Sequence, residues 1–363
     1  MAAKVLWSRV QYVQMPDDEG QEKESMGDKK EGRVRAIDVA RLAGVSRSAV
    51  SRTFTPGAYV SDATRAKVLR AAQALTYYPN AMARSLTTQR SGIVGVISAD
   101  LQNPFYALTL ERIGGALQGQ GLAPLVLFGD ETSTKAQISQ ILSYRVDALI
   151  VTNAVLSSRL TDTVSRMKLP VVAVNRYFPQ DWITSITCDN IHAAGSVADH
   201  LHGVGSTRIA LVTGKADTSS SRDREAGFLR ALVERGTAPI AIETGDYSHD
   251  SGVLAGRSLL ERSVAPDAVF CANDLMAMGV VDVARSEFGL RVPEDLRVAG
   301  FDNSAVGSWQ SYSLTTVDQN IPQMIDLAVE IVLRQLRGEG GPTGQHLQVK
   351  GTLIVRHSTS SPI

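Results

Sequence analysis

Cysteine is scarce in this chain. Two residues, Cys188 and Cys271, stand among 363, far apart and without the spacing of metal ligands. That argues against a disulfide framework or a cysteine-bound zinc, and makes a reducing cytoplasm the expected compartment. Long apolar runs are missing too. No stretch of about 18 apolar residues occurs, so no membrane-spanning helix is expected. The opening residues, MAAKVLWSRVQYVQMPDDEG, have no long apolar core and soon turn acidic, unlike a secretory signal. Residues 14–33 are polar and poor in aliphatics, and the extension 1–33 is expected to be disordered. The usual catalytic motifs are also absent: no GxSxG elbow, no HExxH pair, no phosphate-binding P-loop. Gly203-Val204-Gly205 lies between a helix and a strand, the reverse of a dinucleotide fingerprint. His200 and His202 sit two apart, but the six histidines form no recognisable metal set. No enzyme activity, cofactor or metal is therefore expected.

Net charge is absent as well, with 37 basic and 37 acidic residues, but the balance is not even along the chain. Residues 34–90 carry nine basic side chains: Arg35, Arg41, Arg47, Arg52, Arg65, Lys67, Arg70, Arg84 and Arg90. Against them stand two acidic ones, Asp38 and Asp62. The remainder is acidic overall. A basic head on an acidic body concentrates phosphate attraction in one module and keeps nucleic acid off the rest.

The head reads as three helices. Val39, Leu42 and Ala43 recur at helical spacing, with Ile37 and Ala40 beside them. Gly44 then breaks the helix where a positive φ is cheap. Ser46 is placed to cap a second helix, Arg47 to Phe54, with Val50 inward and Arg47, Ser48, Ser51 and Arg52 outward. Pro56-Gly57 turns the chain. Ser61 caps a third helix, Asp62 to about Thr76, whose Val68, Leu69, Ala72 and Leu75 are expected to close a small core. In a helix-turn-helix the first residues of the second helix reach base edges, and an arginine fork suits the O6 and N7 of guanine. Residues 34–78 are the expected DNA-binding domain.

GVSRSAVSR followed by YPNAMARSL resembles the LacI/GalR family of bacterial transcription regulators. The resemblance implies a hinge helix and linker over residues 79–91. Asn80, Ala83, Arg84 and Leu86 would be its DNA contacts, with Leu86 wedged into the central operator step from the minor groove. An apolar wedge that unstacks a base step is physically sensible, because the bend brings more surface into contact. So short a segment is marginal as an isolated helix, so it is expected to fold only on DNA.

The body alternates short apolar runs with helix-length stretches. Ile93–Ile97, Leu125–Leu127, Ala148–Val151 and Val171–Val174 form one series. Ile209–Val212, Ala268–Phe270 and Arg297–Phe301 form a second. Continuous apolar strands are those covered on both faces, and two series mean an α/β core of two doubly wound parallel-sheet lobes. The resemblance makes this core, 92–363, periplasmic-binding-protein-like, serving effector binding and dimerisation. Its lobes would interleave: about 92–189 with 320–346, and about 190–319 with 347–358.

Ligands of such sheets bind beyond the carboxyl ends of strands. Phe105-Tyr106, Asn175-Arg176, Asp217 to Arg224 (with Ser220), Asn273 and Asp302 all follow strands, and Tyr247 sits in GDYSHDSG. Aromatic faces with amides, carboxylates and arginines suit a sugar or nucleoside. The family resemblance singles out Phe105, Tyr106, Arg224, Tyr247 and Asp302; Asn175, Arg176, Ser220, Asn273 and Trp309 complete the expected effector set. Two positions depart from the family. Ser206 stands where histidine is usual. Asn175 stands where aspartate is common, and with Arg176 it points to an acidic effector. The expected function is a repressor of sequence-specific type, a homodimer on a pseudo-palindromic double-stranded operator, controlled by a small carbohydrate effector. After Leu353-Ile354-Val355 no heptad tail for tetramerisation follows. The competing readings are an effector-independent regulator with a vestigial cleft and a solute-binding protein.

Overall fold

A computed structural model describes residues 34–55, 57–78, 90–128, 134–152, 157–339 and 344–360. The chain divides into two compact units, 1–80 and 81–363. In the first, α1 (Ala36–Ala43), α2 (Arg47–Thr53) and α3 (Asp62–Ala74) follow one another. The turn between α1 and α2 needs glycine: Gly44 lies in the left-handed region at φ 64°. Ser46 Oγ accepts from Ala49 N at the start of α2, and Ser61 Oγ accepts from Thr64 N at the start of α3. Arg65 Nη1 donates to the Thr53 carbonyl (3.0 Å), tying α3 to the end of α2.

The head core is Val39, Ala40, Val50, Val68, Ala71 and Ala72, with Leu75 packed beside it. Leu69 does not belong to it and is 47% exposed. The apolar stripe of α3 runs 68, 71, 72, 75, and Leu69 falls one residue, about 100°, off that line. Leu42, at 56%, lies outside the core in the same way.

The second unit holds two parallel sheets. In chain order its first lobe begins β1 (Ile93–Ser98), α4 (Pro104–Gly119), β2 (Ala123–Phe128), α5 (Thr134–Tyr144), β3 (Ala148–Val151), α6 (Ser158–Arg166), β4 (Val171–Val174) and β5 (Thr184–Cys188). The second lobe follows with α7 (Asn190–Gly203), β6 (Ile209–Thr213), α8 (Ser219–Glu234), β7 (Ala241–Thr244), α9 (His249–Leu260), β8 (Ala268–Cys271), α10 (Asp274–Ser286) and β9 (Arg297–Ala299). Then come β10 (Thr316–Asp318), α11 (Ile321–Arg337), β11 (His346–Val349) and β12 (Thr352–Ile354). The first sheet runs β11-β5-β4-β3-β1-β2, the second β7-β6-β8-β9. β10 and β12 pair antiparallel.

Each central strand feeds two cores. Val94, Val96 and Ile150 pack with Ile113 and Leu117 of α4 and with Val332 of α11. Ile97, Leu149 and Val151 pack on the opposite side with Leu160 and Val164 of α6. In the second sheet Val212 and Val269 face the α9–α10 side, while Leu211 and Phe270 face the α7–α8 side. This two-sided burial is why those strands read as unbroken apolar runs. The chain leaves the first sheet after β5, and α11 and β11 return to it. β11 pairs with β5 through Val349↔Cys188, so this return extends three residues beyond 346. No helix among the described residues is long and apolar enough to cross a membrane.

Candidate DNA-reading face and effector cleft

Ala49, Val50 and Thr53 of α2 are buried, while Arg47, Ser48, Ser51 and Arg52 are exposed. These four occupy positions i, i+1, i+4 and i+5, one continuous face of the helix. Ser48 Oγ lies 2.8 Å from Ser46 Oγ at the cap. Among the described residues neither Arg47 nor Arg52 has an ion-pair partner, so both forks are available to a ligand. Asn80, Ala83, Arg84 and Leu86 lie outside the described residues.

The second group gathers where strands of both lobes end. Asn103 Oδ1 accepts from Phe105 N, capping α4 so that its first turn presents Phe105 and Tyr106. Both are buried, with their rings edge-on at 5.4 Å between centroids. Burial pushes the Tyr106 phenol up to about 12; Arg176 pulls the other way, and Tyr247, Asp302 and Arg224 are also within electrostatic reach. Tyr106 therefore stays protonated at neutral pH, a hydrogen-bond donor facing charges of both lobes.

Arg224 on α8 is held from four sides. Its Nε donates to Asn190 Oδ1 (2.8 Å) and its Nη1 to the Ala272 carbonyl (2.6 Å). Asp302 Oδ1 lies 3.6 Å from Nη1, and the guanidinium carbon sits 3.7 Å above the Phe301 ring centroid. Gln319 Nε2 donates to Asp302 Oδ1 (2.6 Å). Burial raises the Asp302 carboxyl well above the ordinary carboxylate range; Arg224 and Gln319 oppose that shift and Asp274 adds to it. Asp302 also takes an uncommon backbone shape, φ 133°.

Tyr247 is buried on the same side, its hydroxyl 3.0 Å from Thr218 Oγ1 and 3.4 Å from Ser220 Oγ. Gly214, just after β6, makes room for it: a Cβ there would fall 2.2 Å from Tyr247 Cζ. Asn273, one of the expected effector contacts, is bonded within the protein. Its Oδ1 accepts from Met276 N to cap α10, and its Nδ2 donates to the Tyr247 carbonyl. Each end of the amide makes one bond within the protein, and the Nδ2 bond holds the Tyr247 backbone. Trp309 is 59% exposed, unlike the buried members of the set.

Asn175 and Arg176 follow β4 directly. Asn175 is buried in the left-handed region at φ 73°. Asn175 Oδ1, Arg176 Nε and Gln319 Oε1 are buried atoms without a hydrogen-bond partner. Beside them the lobes touch. Tyr177 N donates to Ser219 Oγ (3.1 Å) and Tyr177 Oη donates to Asp223 Oδ1 (3.2 Å). The Tyr177 ring lies 4.6 Å from that of His346. Asn190, Tyr177, Asp223 and Gln319 were not among the sequence candidates. Asn190 and Gln319 each follow a strand, β5 or β10, that carries too many hydroxyls or is too short to register as an apolar run. The two cysteine thiols lie buried, and burial pushes Cys188 up to about 12 and Cys271 up as well, which leaves both unreactive.

Two family profiles match this chain. Bacterial regulatory proteins, lacI family, covers residues 37–80, and the periplasmic binding protein-like domain covers 198–359. The ribose operon repressor of Escherichia coli K12 is 32% identical over 329 residues, 88% of this chain and 98% of that protein. The chain belongs to the lacI family. Lac repressor, solved as a dimer bound to operator and the anti-inducer ONPF, matches with a TM-score of 0.80 at 28% identity over 90% of this chain and 99% of that one. The regulator CelR in complex with cellobiose matches with a TM-score of 0.69 at 29% identity, covering 90% of this chain and 100% of that one. This lacI-family chain is a DNA-binding transcription regulator controlled by a small-molecule effector: α2 is the second helix of the helix-turn-helix, and Arg224, Tyr247, Asp302 and Gln319 of the strand-end cluster lie within the matched periplasmic binding protein-like domain.

Proposed function

We propose that this regulator is a repressor that binds a pseudo-palindromic operator as a homodimer, and that a carbohydrate or carbohydrate derivative in the interlobe cleft sets its operator affinity. One head reads one half-site, so two-fold protein symmetry requires a two-fold site. Arg47, Ser48, Ser51 and Arg52 read base edges; Asn80, Ala83, Arg84 and Leu86 act at the operator centre. The effector contacts are Phe105, Tyr106, Asn175, Arg176, Ser220, Arg224, Tyr247 and Asp302, joined by Gln319. Asn273 supports Tyr247 from behind.

The observation that carries the reading is the buried cluster at the carboxyl ends of strands from both lobes. Aromatic rings there offer faces for the C–H surface of a sugar, and fixed amide, carboxylate and guanidinium groups offer bonds to its hydroxyls. These polar groups lock one another in place, which serves orientation and selective binding rather than catalysis. The structures of CelR with cellobiose and of lac repressor with ONPF and operator support the same reading.

The test has two stages. Selection from random duplexes should return a two-fold symmetric site bound by two chains. A thermal-shift screen of sugars and their derivatives should then find a stabilising ligand. At about 100 times its dissociation constant, such a ligand adds roughly 2.7 kcal/mol of stability. An asymmetric site bound by one chain refutes the dimer. A carbohydrate panel without a single stabilising member refutes the carbohydrate cleft and favours an effector-independent regulator.

A further inference from the structure

Resting on that reading of the cleft, we infer that the effector is a sugar acid: a polyhydroxylated compound whose single carboxylate pairs with Arg176, while its hydroxyls donate to Asn175 Oδ1 and Gln319 Oε1.

The two cleft arginines differ in what surrounds them. Arg224 is satisfied by the protein, bonded to Asn190 and Ala272, paired with Asp302 and stacked over Phe301. Its Nε and Nη1 donors and its ring contact are engaged before any ligand arrives. Arg176 has no such set. Its Nε is buried without a hydrogen-bond partner, and among the described residues no carboxylate lies within ion-pair distance of its guanidinium. The nearby acids are engaged elsewhere. Asp302 faces Arg224 and Gln319. Asp274 accepts from Ser304 N and Thr316 Oγ1. Asp223 accepts from Tyr177 Oη. Arg176 nevertheless sits close enough to the Tyr106 hydroxyl to be the strongest charge acting on it.

A half-buried guanidinium without a counter-charge is costly to desolvate further, and a cleft that fills with ligand desolvates it. A neutral sugar would leave that charge uncompensated. An anionic group answers it with a short, charge-assisted, two-pronged bond. The count of charges selects the anion. One unpartnered guanidinium takes one carboxylate in a two-pronged bond, whereas a phosphate monoester carries close to two negative charges. Two further unpartnered atoms at the ends of β4 and β10, Asn175 Oδ1 and Gln319 Oε1, are both acceptors. They call for donors, which hydroxyls supply and a second carboxylate or phosphate does not. Tyr106, kept protonated, adds a donor on the same side.

The experiment measures binding to the full-length protein by isothermal titration calorimetry, in matched triplets: hexoses and pentoses, their aldonic and uronic acids, and their phosphate monoesters. Within the best-binding stereochemistry the acid should bind at least about tenfold tighter than its neutral counterpart. Arg176→Gln should erase that ratio, and Arg176→Lys should retain part of it. The ratio is the deciding readout, because a purely structural role for Arg176 would weaken acid and neutral sugar alike. Neutral sugars binding as tightly as acids, an unchanged ratio in Arg176→Gln, or preference for the phosphate ester would each overturn the inference and leave the carbohydrate cleft standing. Failure of all three classes to bind would overturn both.

Discussion

Replacing Arg224 by alanine should damage the fold of the core as well as effector binding. The side chain is almost fully buried, 3% exposed, and so is its partner Asp302. Alanine leaves Asn190 Oδ1 and the Ala272 carbonyl without their donor, and removes the cation that opposes the upward shift of Asp302 beside Asp274. Breaking a buried pair from one side costs about 3–5 kcal/mol, a large part of the roughly 5–15 kcal/mol that stabilises a typical domain. At about 2–4 °C per kcal/mol for 150–250 residues, the melting temperature of the ligand-free core should fall by roughly 6–20 °C. The double variant Arg224→Met with Asp302→Asn removes both charges and most of the volume change, so it should recover several degrees of that loss. A coupling of about 0.5–3 kcal/mol is usual for residues in direct contact. Calorimetric melting of wild type, Arg224→Ala, Arg224→Met, Asp302→Asn and the double variant checks this. An Arg224→Ala melting point within about 1 °C of wild type, or a double variant no better than the worse single one, would refute the reasoning. The consequence is practical: operator response in Arg224→Ala reports on stability first, so ligand contacts are better tested at Arg176 or Tyr106.

Arg47→Ala, on an exposed face, should leave the melting point unchanged, weaken specific operator binding by ~1–3 kcal/mol and relax base preference at one position per half-site; equal loss on random DNA would remove Arg47 from base reading. Leu86→Ala should instead reduce operator bending and discrimination at the operator centre, read by gel mobility of circularly permuted sites. Asp302→Asn should alter the pH dependence of stability. The folded protein holds the Asp302 proton to higher pH than the unfolded chain, so between the ordinary carboxylate range and the raised value, lowering pH stabilises wild type relative to the variant; parallel melting curves against pH would contradict the burial argument. Gly214→Ala puts a methyl into the Tyr247 ring. The overpacking should cost roughly 1–3 kcal/mol and weaken effector binding, whereas unchanged affinity by calorimetry would show that Tyr247 is not a contact.

The head was legible because its signals are local. Ser46, Gly44 and Ser61 act within a few residues of themselves, and the outward set Arg47, Ser48, Ser51 and Arg52 follows from helical periodicity alone. Leu69 misled because leucine on a short helix tells nothing of which neighbouring stripe faces inward. In the core, β1, β3, β4, β6 and β8 were legible because both their faces are covered. Thr184-Ser185-Ile186-Thr187-Cys188 was not, since its buried hydroxyls are tolerated only through partners distant in sequence, such as Thr187 Oγ1 with His346 Nε2. The cleft followed from strand ends, but the roles within it did not. Asn273 carries the same amide whether it caps a helix or meets a ligand, and its bonds to Met276 and to the distant Tyr247 carbonyl are set by the fold. Gln319 and Asn190 became visible once β10 and β5 were in place.

The account rests on coupling between the cleft and the DNA-reading head. The direct measurement is a fluorescence-anisotropy titration of the selected operator duplex with purified protein, with and without saturating effector. The two affinities should differ by about 5–150-fold, the usual range of allosteric coupling, and Arg176→Gln should shrink that difference while keeping the ligand-free affinity within a few fold. Identical operator affinity at effector saturation would contradict the account, since a ligand that binds both states equally shifts neither.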